Sequence, residues 1–469
     1  MRIDALVAEI GSTTTKINAF SLGKEAGSPR LLAHGHGRTT VLDGDVTIGL
    51  RDALSSLATS LGVGAVEYDT MLASSSAAGG LKMTVHGLVY DMTVRAAKEA
   101  ALGAGAIVKM ITAGKLGDSD LDQIRRLRPN IILLAGGVDY GERATCVHNA
   151  ERIASLASTG GDGLAAPILF AGNVAARDEV EGILGRCGLK VISVENVYPR
   201  IDDLNVGPAR AAIQRVFEQH IVSAPGMEKI REMVDGPIVP TPGAAMEAAT
   251  LLYREMEDLM VLDVGGATTD VHSVTGGSEE INRILINPEP LSKRTVEGDL
   301  GVFVNAANVA ERIGWGTLSS ELGFDAASVL KRMVAEARPF PRSREETVFL
   351  ERLTRECVLT AVSRHAGRIR HLYGPSGRMT VADGKDLTRV KWIVGTGGAL
   401  TRLPAGPSIL REISGGGFRD ALYPRSAEVL IDKEYILAAC GVLGLKFPRE
   451  AVTLLRSSLG RPAGSDCAR

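Results

Sequence analysis

"VLDVGGATTDV", residues 261–271, decides the fold. An apolar run reaches Asp263, turns on Gly265-Gly266, displays Thr268-Thr269 and resumes through Asp270 and Val271. A strand that stops on two glycines and two hydroxyls and then continues reads as a β-hairpin. Glycine has no Cβ, so its backbone N–H groups can approach a phosphate closely, and hydroxyls add further donors. The acidic residue at the strand end suits Mg2+, which favours oxygen ligands and keeps several waters. Taken alone, the same stretch also reads as an ordinary glycine turn.

The design occurs twice. Residues 7–17 read "VAEIGSTTTKI", in which Glu9 aligns with Asp263 at an offset of 254 residues. Gly11 then matches Gly265, Thr14 matches Thr268, Thr15 matches Thr269 and Ile17 matches Val271. A second pair follows in the same order: "ILLAGGVD" (132–139) against "IVGTGGALT" (393–401), with Gly136-Gly137 against Gly397-Gly398 at an offset of 261. Two motifs repeating at nearly one spacing imply internal duplication. Hairpins facing each other would hold a triphosphate from both sides. Gly11, Ser12, Thr13 and Thr14 serve one side, and Gly265, Gly266, Thr268 and Thr269 the other. Glu9 and Asp263 are the metal-side carboxylates, and Asp263 is also assigned a catalytic role. No GxxxxGK[ST] occurs, so this is not a P-loop.

In "WIVGTGGALTRLP" an apolar strand ends at Gly395 and Gly397-Gly398 follows. A purine or ribose can lie against such a corner because no Cβ intrudes. The matching "LLAGGVDYG" of the first half reads as a relic of duplication. "RTVEGDLGVFVNA" carries Glu297 and Asp299 around Gly298, ahead of a helical segment. Glu297 either orients water near the γ-phosphate, as a catalytic residue, or marks an acidic helix N-terminus.

Composition sets the outer bounds. A chain of 469 residues exceeds one compact core, so two to four domains are expected. A hydrophobic share of 45% with 23% charged residues is globular. The net charge of −2 gives no electrostatic case for nucleic acid or an anionic membrane, and aromatics at 4% argue against base-stacking platforms. Cys146, Cys187, Cys357, Cys440 and Cys467 form no CxxC and read as isolated thiols in a reducing cytosol. No signal peptide is legible, nor any apolar run near the roughly 18 residues of a membrane span. The expected location is cytoplasmic. "HGHGR" (34–38) lacks further ligands at metal spacing and reads as non-metal.

Short apolar runs alternate with helical-period segments, which implies α/β layers with mainly parallel central strands. Strands are expected at 130–135, 167–171, 259–264 and 391–395 among others, with helices including 242–257, 302–312 and 347–371. Thr241-Pro242 reads as a capped helix start. The chain divides into an α/β domain over 1–230, a related one over 231–455 and a frayed tail over 456–469.

These motifs resemble the actin-like ATPase superfamily, which also contains heat-shock chaperones and sugar kinases. "VAEIGSTTTKI" is similar to its phosphate-1 hairpin, "VLDVGGATTDV" to its phosphate-2 hairpin and "IVGTGGALT" to its adenosine motif. "NVGPARAAIQ" and "EYILAACGVLGL" resemble its two connecting helices. The resemblance implies two duplicated actin-like (ribonuclease H-like) ATPase domains with a nucleotide cleft between them, binding ATP/ADP and Mg2+. Glu9 stands where that superfamily has Asp, one methylene longer. "SSSAAGGLKM", "NIILLAGGVDYGER", "NVYPRIDDLNVGPAR" and "RTVEGDLGV" further resemble the MutL/GlmL family. Those proteins accompany adenosylcobalamin-dependent mutases such as glutamate mutase and ornithine aminomutase. The implied role is an ATP-hydrolysing reactivating chaperone, with slow turnover, that releases inactivated cobalamin from its mutase; a homodimer is allowed. The alternatives are a small-molecule kinase, a hydantoinase/oxoprolinase-type enzyme on the same fold, and an actin-like polymer or scaffold.

Overall fold

The computed structural model describes residues 2–461 apart from 12–13, 24–26, 41–43, 77–80, 105, 158–163, 202, 222–225, 337, 375–376 and 415–419. Two compact units form: Met1–Ala244 with Asn287–Pro290, and Ala245–Ile286 with Leu291–Arg469. The divide falls inside the helix Thr241–Met256. Thr241 is the first residue of that helix, and its Oγ1 makes no hydrogen bond among the described residues, so the expected cap is not formed.

The first unit carries the hairpin Arg2–Ile10/Thr14–Ser21, extended antiparallel by Arg30–Arg38 and parallel by Glu67–Ser75 and then Ile238–Pro240. Ile10, Ala8, Leu6, Ile17 and Ala19 are buried in one core with Leu50, Ala53 and Leu57 of the helix Val46–Leu61. Alternation places Glu9, Lys16 and Asn18 on the opposite face. "HGHGR" is strand, and its alternation has a packing cause. A Cβ on Gly35 would overlap the Ala53 carbonyl oxygen, one on Gly37 the Gly49 carbonyl and one on Gly49 the Arg38 carbonyl. Helix and strand therefore meet backbone to backbone, while His34 and His36 point to the other face.

A second sheet in this unit is wholly parallel. Its strands are Lys82–Gly87, Ile107–Ala113, Ile131–Leu134, Ile168–Phe170 and Val191–Ser193, with Lys82–Gly87 lying between the second and third. This is the 2-1-3-4-5 order of a doubly wound sheet. Ile131 and Leu133 enter one core while Ile132 and Leu134 enter another. Burial on both faces explains the unbroken apolar run "IILL".

The second unit repeats the first sheet's plan. Leu259–Val264 and Thr269–Val274 form the hairpin, Ser292–Glu297 adds antiparallel, and Trp392–Thr396 then Glu428–Ile431 add parallel. The long helix Arg344–His365 buries Phe349, Leu353, Cys357 and Ala361 in a core with Met260, Leu262, Val264 and Val271. The shared strand order and sense make this the duplicated actin-like α/β fold.

The topology corrects two readings. The strand equivalent to Trp392–Thr396 is Glu67–Ser75, not Ile131–Leu134, so "LLAGGVD" is not the duplicate of "GTGGALT". It belongs to the parallel sheet. The helix expected to run to 371 ends at His365, and Arg368–Gly374 pairs antiparallel with Gly377–Asp383. Ala366 leaves the helix with extended backbone, and Gly367 follows it.

Gly35→Ala is expected to destabilise the protein by about 1–3 kcal/mol, because the new methyl meets helix backbone that cannot rotate away. Gly64→Ala, with nothing within 4 Å of its Cβ position, is the control and leaves the urea midpoint unchanged.

Candidate functional site

Both hairpins close in one way. Gly265 N–H donates to Thr268 O at 2.9 Å, and Gly11 N–H to Thr14 O at 3.0 Å. Ser12 and Thr13 lie outside the described residues. In the second unit the turn's carbonyls are all taken from one side. Val302 N–H donates to Gly265 O at 3.2 Å, Phe303 and Val304 N–H to Gly266 O at 2.9 and 2.7 Å, and Asn305 Nδ2 to Ala267 O at 2.6 Å. The segment fits this closely only because residue 301 is glycine; a Cβ there would collide with Ala267. In a planar trans peptide the N–H points opposite to its C=O, and the chain has no cis bond among the described residues. The N–H groups of Gly266, Ala267 and Thr268 therefore project away from 302–305. None of them donates to a backbone carbonyl outside regular structure among the described residues. Three aligned N–H groups form a concavity suited to an anion.

Thr269 does not share in this. Its hydroxyl donates to Leu300 O at 2.8 Å, and the residue is fully buried. It braces the turn's covering segment, while Thr268 remains half-buried at the turn itself.

The acidic residues differ between the hairpins. In an antiparallel pair, opposed residues share a face. Asp263 is opposed by Asp270, whereas Glu9 is opposed by Lys16. The sequence alignment already pairs position 16 with 270 but gives no sign of what each does. Asn18 Nδ2 donates to Glu9 Oε1 at 2.6 Å, and the buried Lys16 Nζ lies 3.5 Å from the same oxygen. Asn18 Oδ1 in turn meets His34 Nδ1 at 2.8 Å. Glu9 is thus neutralised by its own strand partner. At the second hairpin two carboxylates lie side by side, and Arg294, 2% exposed, takes one oxygen of Asp270 at 2.8 Å. That all-oxygen donor set fits Mg2+ better than the Glu9–Lys16 pair does.

Glu297 ends the strand Ser292–Glu297 opposite Thr269, and the next helix begins only at Ala306. It is therefore not a helix N-terminus. Its carboxylate is gripped by Arg364, whose guanidinium also holds Asp299 Oδ1 at 2.9 Å. This pairing pulls the Asp299 carboxyl below its usual range and raises the arginine further. Arg364 had no sequence signal, since it sits at the end of a helix 65 or more residues away.

The glycine corner is brought to the same place. Thr396 is in register with Asp263, and the Cβ missing from Gly397, at φ 84°, would overlap Asp263 Oδ1. The Cβ missing from Gly398 faces Phe340 at 3.3 Å. Gly395 differs: its face is covered by Leu410, Ile431 and Leu400, so its smallness serves core packing. Asp263, the 265–268 turn, Glu297 and Gly397-Gly398 thus belong to one locality of the second unit. Glu9, Gly11 and Thr14 form the matching end of the first unit's hairpin.

Fold and paired hairpins define a chain of the actin-like ATPase-fold class. The chain belongs to the MutL protein family, whose pattern it matches over residues 5–459. It is 37% identical to Protein MutL of Clostridium tetanomorphum over 469 residues, covering 97% of this chain and 98% of that one. Among solved structures, a diol dehydratase-reactivating factor in nucleotide-free form aligns with 96% of this chain and 100% of its own. The identity is 13% and the TM-score 0.36. A glycerol dehydratase reactivase aligns with 93% and 99% respectively, at 11% identity and a TM-score of 0.33.

Two histidines lie inside the second unit's sheet. His365 sits between Ser273 Oγ at 2.8 Å and Thr295 Oγ1 at 2.7 Å. His272, in register with Arg294, makes no hydrogen bond from either ring nitrogen among the described residues. Burial pushes both well below 6.5, with Arg294 adding to the effect on His272 and Lys385 and Lys293 on His365. His86, in the parallel sheet, is pushed down to about 4 by burial. The unfolded chain takes up these protons near 6.5 while the folded chain does not, so stability is lost as pH falls below that value. Each histidine contributes a slope of up to about 1.4 kcal/mol per pH unit. Unfolding free energy measured between pH 7 and 5 should fall steeply, and more gently in His272→Gln.

Proposed function

We propose that this chain is an ATP-dependent reactivating chaperone. It binds an adenosylcobalamin-dependent mutase and promotes release of inactivated cobalamin, driven by ATP binding and hydrolysis. Membership of the MutL family supports the partner class. One observation carries the nucleotide part: the three peptide N–H groups of Gly266, Ala267 and Thr268, turned outward because their carbonyl partners are held from behind.

In this reading those N–H groups and the Thr268 hydroxyl bind phosphate oxygens. The 11–14 turn, with Ser12 and Thr13, supplies the equivalent donors of the first unit. Gly397-Gly398 receives the adenosine. Asp263, with Asp270 beside it, would hold Mg2+, which when bound neutralises phosphate charge. Glu9 contributes less to the metal, since Lys16 already balances it. Glu297 orients the attacking water, and Arg364 fixes its carboxylate as a positioning residue. Catalysis of this kind rests on placement and electrostatics rather than covalent chemistry. Turnover is slow, and the nucleotide state sets affinity for the mutase by favouring one conformation over another.

Asp263→Ala should abolish phosphate release from ATP in the presence of Mg2+ while circular dichroism and thermal unfolding stay those of the parent. Undiminished hydrolysis in the folded variant would count against the assignment. For the partner, the tagged chain in extract of its native cell should retain a cobalamin mutase, with a yield that differs between ADP and ATP. Stoichiometric phosphorylation of a metabolite, in place of free phosphate, would instead identify a kinase.

A further inference from the structure

Phe340 is 46% exposed. Its edge rests on Gly398, with Cε1 and Cζ 3.3 and 3.6 Å from where a Cβ would stand. The Arg402 guanidinium lies over the ring, 4.5 Å from its centroid. The ring thus has its edge on glycine and one face under arginine, while nearly half of the residue is exposed.

The ring is held in place. Arg338 Nη1 donates to the Phe340 carbonyl at 3.3 Å and pairs through Nη2 with Glu346 at 3.3 Å. Arg342 N–H donates to Glu346 Oε2 at 2.7 Å. Glu346 is itself buried near the start of the helix Arg344–His365, so the loop carrying Phe340 is tied on both sides of the ring. Arg402 stands at the end of the short helix Gly398–Arg402. Consecutive glycines thus face opposite chemistries: Gly397 abuts the Asp263 carboxylate, and Gly398 abuts an aromatic ring backed by a cation.

We propose that Phe340, braced by Arg402, is the stacking wall for the purine base and determines the preference for a nucleotide over other polyphosphates. This rests on the nucleotide-binding reading above and names the residue that recognises the base. Base–aromatic stacking uses the π face, which every purine offers, so the wall selects for a base rather than for its edge. The guanidinium on the far face places positive charge behind the ring, fixing its tilt without covering the working side.

The test compares two ligands in the presence of Mg2+ by titration calorimetry: ADP, which has a base, and inorganic tripolyphosphate, which has none. Phe340→Ala should weaken ADP by about tenfold and leave tripolyphosphate within twofold. Phe340→Trp should restore ADP affinity and report it through quenching beyond that of the parent's Trp315 and Trp392. Circular dichroism establishes that both variants are folded. If the parent binds ADP and Phe340→Ala binds it equally well, the wall is wrong and the nucleotide site stands. Equal weakening of both ligands likewise overturns it, since the ring would then be supporting the site generally. A parent that binds neither ligand overturns the nucleotide reading and this inference together.

Discussion

Three backbone carbonyls, drawn to one side by the segment 302–305, set the orientation of the second hairpin's turn. A peptide plane cannot turn its C=O one way without turning its N–H the other. The donors that face outward are therefore positioned by contacts made behind them, not by the turn's own composition. Gly301 permits the approach, Thr269 ties Leu300 to the strand, and Asn305 closes the far end by also reaching Gly298 O. The glycines of the turn make it possible; the covering segment makes it specific.

One helix collects the remaining constraints. Arg344–His365 carries Arg364 near its C-terminal end, where it grips Glu297 and Asp299. Near its N-terminal end it carries Glu346, which secures the loop of Phe340. Between them Phe349, Leu353, Cys357 and Ala361 are packed against the hairpin strands. The Glu297 carboxylate and the Phe340 ring are thus referred to a single rigid element, about 33 Å long at the usual helical rise for its 22 residues.

Much of this was legible in the sequence, for identifiable reasons. Hairpins with glycine-hydroxyl turns announce themselves because strand periodicity resumes on both sides of the interruption, and the recurrence of that hairpin signals the duplication. The glycine corner was also visible, although Gly395 serves packing and only Gly397 and Gly398 adjoin Asp263 and Phe340. What stayed hidden depends on long-range contact. Arg364 and Phe340 lie on segments with no motif, and their relevance comes from what they touch. The glycine pair Gly136-Gly137 matches Gly397-Gly398 in composition but not in topology. Their missing Cβ atoms would meet Asn173 and Cys146 at one and Glu142 at the other, so they pack loops of the parallel sheet together. In "HGHGR" the glycines, not the histidines, set the packing against the helix Val46–Leu61.

The two hairpins began from one plan and no longer carry the same charge. Where the second has Asp270 opposite its acidic residue, the first has Lys16. One copy sets a lysine opposite its acidic residue; the other sets two carboxylates side by side, with Arg294 on Asp270. Duplication usually offers redundancy, a spare that can take over when its twin is damaged. Here the exchange of lysine for aspartate has broken that symmetry, so the two hairpin ends no longer carry interchangeable charge.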